Sequence, residues 1–551
     1  MFNLLEKIIY HILGSFFWKS MILFITFVSL IGAIMMIPME LVLAKMLPGK
    51  NNDTFNIYID LPNGSSISQT RHVGECIVSQ LKNEKEIINF ELFLGMGSPL
   101  DFAGLIKGSH FKQQENLAEI VINLSPKHHR KEPSYLMVQR IRPEILKTCG
   151  EIFTKSSIKF IEPPAGPPTM GAVVAEIYGE SDIGIREVAE QVKNIFISTK
   201  GLVDIDIMQD EIYSKIEIEI DNIKVIRSGL DIKNINDLIY LSLEGMSVAV
   251  KNSKIYDDQV AIYLSLDPKG KVFKSDEVRD VELKLSSLKM MNSNGLMIPL
   301  SELVKIKKIS SNPMIVTKDL HKMTNVVAET DMISQVYPLL EARTKIINNL
   351  ADQFEIEQIG LFDLKLKSKN NSLEYLLKWD GEMRVTIDTF IDLGGAFITA
   401  MILIFLLMVI YYKSYILSTV VLIGSLLSII GVIFGHWIMD QFTEETFFLT
   451  ATSLIGFIAL IGISSRNTLL LIDFTKSLLN EMDQRRAVAY ATATRAKPIF
   501  LTASAIILAS TLLASDAVFG GLGVSLIFGT ISAVVASLIV IPIFINSKKL
   551  N

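Results

Sequence analysis

The sequence has no surplus of positive charge: 53 Lys and Arg stand against 58 Asp and Glu, a net charge of −5. That excludes the basic face a nucleic-acid binder presents. Two cysteines, Cys76 and Cys149, are too few for a disulfide framework. They fall in one segment, and the spacing alone leaves both a bonded and a free pair open. No nucleophile–base pair and no phosphate-binding glycine loop is visible, which argues against an enzyme and implies no cofactor. His128-His129-Arg130 is the one histidine cluster. Adjacent side chains diverge on most backbones, so it reads as a solvated loop and not a metal site. Met96, Met137 and Met170 read as packing residues.

What the chain does have is hydrophobicity. It is 551 residues long and 50% hydrophobic, with a mean hydropathy of +0.39. Six stretches satisfy the rule of roughly 20 apolar residues per membrane span. They are Met21–Leu43, Leu393–Tyr412, Tyr415–Met439, Thr446–Ile472, Pro498–Ser515 and Leu522–Ile545. The first lacks a small-x-small cleavage site and reads as a retained anchor, not a signal peptide. Lys7, Lys19, Lys413, Lys476, Arg485, Arg486, Arg495, Lys497, Lys548 and Lys549 fall in links on one side. Asp440, Glu444, Glu445 and Asp516 fall on the other. The positive-inside rule then places both termini in the cytoplasm and residues from about 45 to 390 outside. Small residues recur at helical spacing in two spans, at Gly424, Ser428, Gly431 and Gly435 and at Ser525, Gly529, Ala533 and Ala536. Such faces let helices approach closely, so these spans belong to a packed bundle.

The large loop is a folded region. Phe55, Ile57, Ile59 and Leu61 alternate with polar or smaller residues, the period-two mark of a half-buried strand. Ser66 and Gln69 form a capping box for a helix with Val73, Ile77 and Leu81 on one face. Ala118–Leu124, Ala172–Tyr178, Val203–Met208 and Lys215–Ile220 read as strands, Ile185–Ile195 as a helix, and Asn294-Gly295 as a hairpin turn. Pro163-Pro-Ala-Gly-Pro-Pro168 is a stiff break, read as a structural elbow rather than a ligand loop. The fold class predicted is an α-helical membrane bundle of six spans with a large α+β domain of ferredoxin-like strand–helix–strand subdomains.

One residue resists a purely structural reading. Arg466 is the single charge in the stretch Thr446–Ile472. A permanent cation in hydrocarbon is costly, so it is by default functional or paired. Snorkelling to the cytoplasmic headgroups is awkward, because side chains tilt toward the helix N-terminus and this helix runs from outside to inside. A pair with Asp473, two turns on, is awkward for the same reason. Asn467 and Thr502 add neutral hydrogen-bonding groups nearby. An Arg does not release its proton, but it can hold a carboxylate in a salt bridge that breaks when the carboxylate is protonated. No Asp or Glu of this sequence lies at that depth, so negative charge must come from another polypeptide.

The run Ser453-Leu-Ile-Gly-Phe-Ile-Ala-Leu-Ile-Gly-Ile-Ser-Ser-Arg-Asn-Thr-Leu-Leu-Leu-Ile-Asp473, followed by Arg495-Ala-Lys-Pro-Ile-Phe-Leu-Thr502, resembles resistance-nodulation-division (RND) efflux permeases. Phe519–Gly529, Trp379-Asp-Gly-Glu-Met-Arg-Val-Thr386 and Lys45-Met-Leu-Pro48 support the likeness. Those permeases have twelve spans in two similar halves, and this chain resembles the second half. The resemblance implies porter subdomains near 50–185 and 275–330 flanking a substrate cleft, with a docking subdomain at 186–274 between them. In full it divides the chain into an N-terminus and first span (1–45), porter subdomains (46–185), the docking subdomain (186–274), the second part of the porter domain (275–390) and a five-helix bundle (391–551). By motif, Arg466, Thr502 and Arg495 match the basic residue, threonine and arginine of the family's proton relay, with Asn467 beside them. Arg466 departs from the Lys of the best-known members, which points to an electrostatic latch.

The expectation is a second-half subunit of a proton-driven permease that exports amphiphilic compounds, working with a separately encoded first half that supplies the relay aspartates. By resemblance it sits in the bacterial inner membrane, assembles as a trimer, and works with a periplasmic adaptor protein and an outer-membrane channel. A non-transporting membrane scaffold or sensor, or the remnant of a split gene, is the alternative. Substrate-binding residues are not assignable from the sequence.

Overall fold

A computed structural model describes residues 2–48, 51–109, 112–127, 129–153, 156–163, 166, 168–267, 277–331, 334–443 and 446–547. His128, Pro164, Ala165, Pro167, Glu444, Glu445, Lys548 and Lys549 lie outside the described residues. The chain divides into two compact units, 1–208 with 315–551, and an insertion of 209–314.

The chain begins with helix α1 (Phe2–Gly14), which the sequence reading did not resolve, and enters α2 (Phe16–Met35) through an N-cap at Ser15. The first apolar helix therefore ends at Met35, not at Leu43. Residues 36–48 leave it as turns and a strap. The strap is held by Leu449 N–H donating to Leu43 O (2.8 Å) and Lys45 N–H donating to Leu449 O (3.1 Å). Hydropathy continues through Ile37, Met39, Leu41 and Val42, but Pro38 lies among them and residues 37–42 form local turns that lead into the strap.

The first strand-rich subdomain follows as β1 (Thr54–Asp60), α3 (Ile67–Leu81), β2 (Ile87–Leu94), α4 (Phe102–Lys107), β3 (Leu117–Leu124), α5 (Ser134–Cys149) and β4 (Ser157–Ile161). Its antiparallel sheet has the order β2-β3-β1-β4. The Ser66/Gln69 capping box is formed. Phe55, Ile57 and Ile59 of β1 bury one sheet face against Val73 and Ile77 of α3 and Met137 and Ile141 of α5. Each such side chain contributes roughly 1.5–3 kcal/mol. Cys76 of α3 and Cys149 of α5 form a disulfide across 73 residues of chain.

The second subdomain is assembled from both sides of the insertion. It opens with β5 (Val173–Tyr178), α6 (Asp182–Ile197) and β6 (Leu202–Ile207). The insertion then carries β7 (Ser214–Ile220), α7 (Asn222–Arg227), α8 (Ile232–Leu243), β8 (Met246–Lys251), β9 (Val260–Leu264), α9 (Val278–Ser287), β10 (Lys289–Met291), β11 (Met297–Pro299) and β12 (Val304–Ser310). The Asn294-Gly295 turn joins β10 to β11, with Gly295 at φ +79°. After it come β13 (Val316–Lys318), β14 (His321–Thr330), α10 (Val336–Leu350), β15 (Phe354–Ile359), β16 (Asp363–Ser368) and β17 (Glu374–Asp380). These join β5 and β6 in a seven-stranded sheet. The reading of an inserted subdomain at 186–274 does not match these bounds. The amphipathic face of α6 (Ile185, Val188, Val192) and Leu202 of β6 belong to the core shared with β14 and β17, so the insertion starts later.

Five further apolar helices complete the chain: α11 (Glu382–Tyr412), α12 (Tyr415–Phe442), α13 (Ala451–Leu478), α14 (Gln484–Ala514) and α15 (Gly520–Asn546). With α2, six helices among the described residues are long and apolar enough to cross a membrane. The small-residue faces meet. A Cβ on Gly431 would stand 2.2 Å from Phe528 O, one on Gly435 2.5 Å from the Phe528 side chain, and one on Gly529 2.2 Å from Leu460.

Two outcomes follow. Gly431→Ala pushes α12 off the α15 backbone and should cost on the order of 2 kcal/mol or more, read as a lower thermal midpoint in detergent. Cys76→Ser/Cys149→Ser should cost ~2–4 kcal/mol, measured by denaturation of the strand-rich part; an unchanged midpoint would show that the disulfide is dispensable.

Candidate functional site

Helix α13 carries the charge that the sequence singled out. Its buried faces hold Gly456, Leu460, Ser464, Thr468 and Leu471, and packing against α12 and α15 consumes them. One stripe remains exposed: Ile455, Ala459, Gly462, Arg466 and Leu470, spaced three or four residues apart. Such spacing places them on one helix face. Arg466 is the only polar side chain of that run, and a Cβ on Gly462 one turn before it would meet open space. Among the described residues Arg466 has no hydrogen-bond or ion-pair partner.

Asp473 does not supply one. Its carboxylate accepts from the Tyr412 hydroxyl at 2.9 Å and from Tyr411 at 3.3 Å, both at the end of α11. Lys476 stands over the Tyr412 ring at 4.7 Å. The other predicted residues are not brought into contact with Arg466. Asn467 is buried on the neighbouring face. Thr502 is exposed, and its hydroxyl donates back to Pro498 O and Ile499 O of its own helix. Arg495 stacks its guanidinium on Phe474 of α13 at 4.8 Å, and its Nε is buried with no hydrogen-bond partner. Two guanidiniums on α13 and α14 thus have no carboxylate of this chain among the described residues.

The sequence reading missed a second ionisable group in the bundle. His436 of α12 is 0% exposed. Its Nδ1 lies 2.8 Å from Val432 O, which can only accept, so Nδ1 carries the proton; Nε2 then accepts from the Ser453 hydroxyl at 2.8 Å. Both ring nitrogens are satisfied, which makes His436 a polar link between α12 and α13. A histidine in an apolar span was the available signal.

A cavity of about 150 Å³ lies where the two strand-rich subdomains meet the strap after α2 and the start of α11. Two of the segments that line it carry family motifs: Lys45-Met-Leu-Pro48 on the strap, and Glu382 with Val385 at the start of α11. Gly381 sits just before them at φ +86°, where a Cβ would stand 2.5 Å from Gly171 O, so only glycine admits this approach. Pro163 and Gly166 of the proline-rich elbow also face the cavity.

Ion pairs close the seam between the subdomains. Lys107 reaches Glu329 at 2.6 Å, Arg142 reaches Asp204 at 2.9 Å and Asp331 at 3.2 Å, and Lys159 bridges Asp60 (2.7 Å) and Asp206. Asp204 holds a left-handed backbone, φ 52°, and its side chain is 3% exposed. Removing one partner of a buried pair of this kind costs about 3–5 kcal/mol. The Lys159 and Lys112 ammoniums outweigh burial at Asp60 and hold its carboxyl down at about 2. Burial wins at two other acids. It pushes Asp204 up to about 6 despite Arg142, and Glu162 up to about 7 despite Arg142 and Lys45, with Glu329 and Asp204 adding repulsion.

Both raised acids hold protons more firmly in the folded state than in the unfolded one. Their contribution to stability is complete below about pH 4 and lost as pH rises toward 7. Glu162→Gln removes the larger part. The variant should gain on the order of 2 kcal/mol over the parent at pH 8 and little at pH 5, measured by thermal unfolding at both values. A gap that does not change with pH would contradict the assignment.

With this geometry in place, the likeness to known proteins can be stated. A family model described as the AcrB/AcrD/AcrF family matches residues 1–546. The swarming motility protein SwrC of Bacillus subtilis strain 168 is 23% identical over 532 residues, covering 94% of this chain and 45% of SwrC. The multidrug export protein AcrF of Escherichia coli K12 is 21% identical over 525 residues, covering 91% of this chain and 45% of AcrF. A crystal structure of a heavy metal efflux pump superposes with a TM-score of 0.72 at 16% identity, over 98% of this chain and 52% of that one. The chain therefore spans about half the length of the relatives it matches.

Proposed function

The chain belongs to the AcrB/AcrD/AcrF family, and from that premise and the geometry above we propose that it forms the second half of a proton-driven RND permease that exports amphiphilic compounds. The first half, lying outside these 551 residues, supplies the carboxylates that pair with Arg466. The observation that carries this reading is the exposed guanidinium of Arg466 on an apolar stripe of a membrane helix, unpaired among the described residues. A cation so placed is stable in a bilayer only when negative charge or water meets it.

In this reading Arg466 is a latch. Ionised carboxylates from the first half pair with it; protonation of those carboxylates breaks the pair and frees the helices to move. In this reading Arg495 and Thr502 on α14 belong to the joint site, and Asn467 stands next to Arg466 in sequence on the buried face of α13. A charge crossing 100 mV yields about 2.3 kcal/mol, enough to bias two arrangements of a bundle. The strand-rich subdomains, read as ferredoxin-like, are the porter domain, and the insertion is the docking subdomain for an adaptor protein and outer-membrane channel in a trimeric assembly. The Cys76–Cys149 disulfide supports an oxidising compartment for this part, hence a periplasmic side with both termini cytoplasmic. The cavity between the subdomains lies on the substrate route.

The test is reconstitution. Purified from its native membrane with the first half of the permease, the protein should export a fluorescent amphiphile when a pH gradient is imposed. Arg466→Ala should reduce export by about tenfold or more, the equivalent of ~1.4 kcal/mol or more, with Arg466→Lys retaining part of it. Export at the full rate with Arg466→Ala refutes the latch. No export by the complete protein supports the scaffold reading instead.

A further inference from the structure

Ser464 and Thr468 of α13 and Ser525, Thr530 and Ser537 of α15 are all 0% exposed, and none of these hydroxyls has a hydrogen-bond partner among the described residues. A helical Ser or Thr can donate to the carbonyl one turn back, as Thr475 of α13 does to Leu471 O at 2.8 Å. These five do not, and a buried hydroxyl left unbonded is costly. The two helices set them in facing rows. Ser464 and Thr468 continue the row of Gly456 and Leu460, and Ser537 continues the row of Ser525 and Gly529. A spacing of four keeps each row on one helix face. A Cβ on Gly456 would stand 2.6 Å from Ser525 Cβ, and one on Gly529 2.2 Å from Leu460, which fixes the register. Two turns further along, Thr468 comes level with Ser537. On the α12 side, a Cβ on Gly424 would lie 2.9 Å from Thr468 Oγ1 and 3.4 Å from Ser464 Oγ. Both hydroxyls therefore point into the space that Gly424 leaves free. The same point is 3.4 Å from Ile541 Cδ1, at the end of a π-turn in α15. There Ile541 N–H donates to Ala536 O, five residues back, and Ala536–Val540 packs on both α12 and α13. Such turns widen a helix locally and recur at functional sites.

We propose that this seam holds an internal water node between Gly424, Ser464, Thr468 and the π-turn of α15, and that the node is a wet contact on which α13 shifts. The chemistry selects water. A hydroxyl both donates and accepts, so its partner must do the same. The residues around the node include no acid and no base, so a bound ion would stand there without a counter-charge. The only room is what a glycine leaves, which suits a ligand of one heavy atom. Leu460 and Val432, both against Gly529, close the node toward the N-terminal end of α13, which makes it a pocket and not a channel. Its place gives it a role. Arg466 lies midway between Ser464 and Thr468 in the chain, on the opposite, exposed face of the helix. The node is thus directly behind the charge. Water-mediated contacts exchange partners at little cost, whereas interlocked apolar side chains must unpack. A helix that shifts when its cation is engaged or released therefore has the one kind of buried contact that lets it do so. That the shift serves export rests on the permease reading; that the seam holds water does not.

The sign of a stability change tests the node. Thr468→Val keeps the side-chain shape and removes the hydroxyl. It should lower the thermal midpoint of the whole protein in lipid nanodiscs if that hydroxyl is bonded to water, and raise it if the hydroxyl is buried without a partner. Ser464→Ala should lower the midpoint too, and the double variant should lose less than the sum of the two, because both side chains bond one node. A map that resolves ordered solvent should show water about 3 Å from Thr468 Oγ1 and Ser464 Oγ, and Thr468→Val should lose it. Exchanging NaCl for choline gluconate should leave the midpoint unchanged. A raised midpoint, a map in which both hydroxyls bond only to protein, or a salt effect that the substitutions abolish would overturn the node. In the complete permease Thr468→Val should slow export. Export at the parental rate by that variant would overturn the shifting contact. No export by the parent, with the water in place, would sink the permease reading and leave the node standing.

Discussion

A guanidinium keeps its proton at any pH a cell reaches, so a membrane helix that carries one must surround it with charge, dipoles or water. In this chain α13 gives its other faces to the neighbouring helices and leaves Arg466 on a face that no described residue covers. The one carboxylate on the same helix, Asp473, is held by Tyr411 and Tyr412. Packing of the bundle and exposure of the cation are thus one fact. Gly431, Gly435 and Gly529 draw α12, α13 and α15 together so closely that a Cβ at any of them would clash with Phe528 or Leu460, and what stays outside is the surface on which a second set of helices would complete the site.

The strand-rich part obeys the opposite logic. There the charges are paired, and the pairs sit on the boundary between two subdomains whose apolar cores are separate. Ion pairs hold a boundary in register while costing little to rearrange when water can enter, whereas apolar cores resist rearrangement. The disulfide between α3 and α5 keeps the first subdomain rigid. The cavity, with Glu162 and Glu382 in its lining, lies on that seam, beside the strap and the start of α11.

Much of this was legible in the sequence. Strict alternation gave away β1, and the Ser66/Gln69 pair marked the start of α3, because both signals are local. Arg466 stood out because a single charge in an apolar run is a local signal too. Span ends were less legible. Ile37 to Val42 keep the hydropathy high but hold Pro38 and Glu40 and fold as turns, and Leu43 to Met46 leave the helix to pair with the 449–451 backbone, a long-range contact that hydropathy does not report. The insertion bounds were misjudged because α6 and β6 look like the start of a new unit, and only their pairing with β14, more than a hundred residues later, returns them to the first one. The cavity was not legible at all. Its seven charged residues come from six separated segments, and Glu162 is noteworthy only once its neighbours are known.

The account depends on one contact, and one measurement addresses it: a structure of the protein in lipid, purified from its native membrane with whatever remains bound, and the distance from the Arg466 guanidinium to the nearest carboxylate oxygen. The account predicts an Asp or Glu from outside these 551 residues within about 4 Å of it. A guanidinium turned to lipid or headgroups, with no acidic side chain from any neighbour in reach, would contradict it.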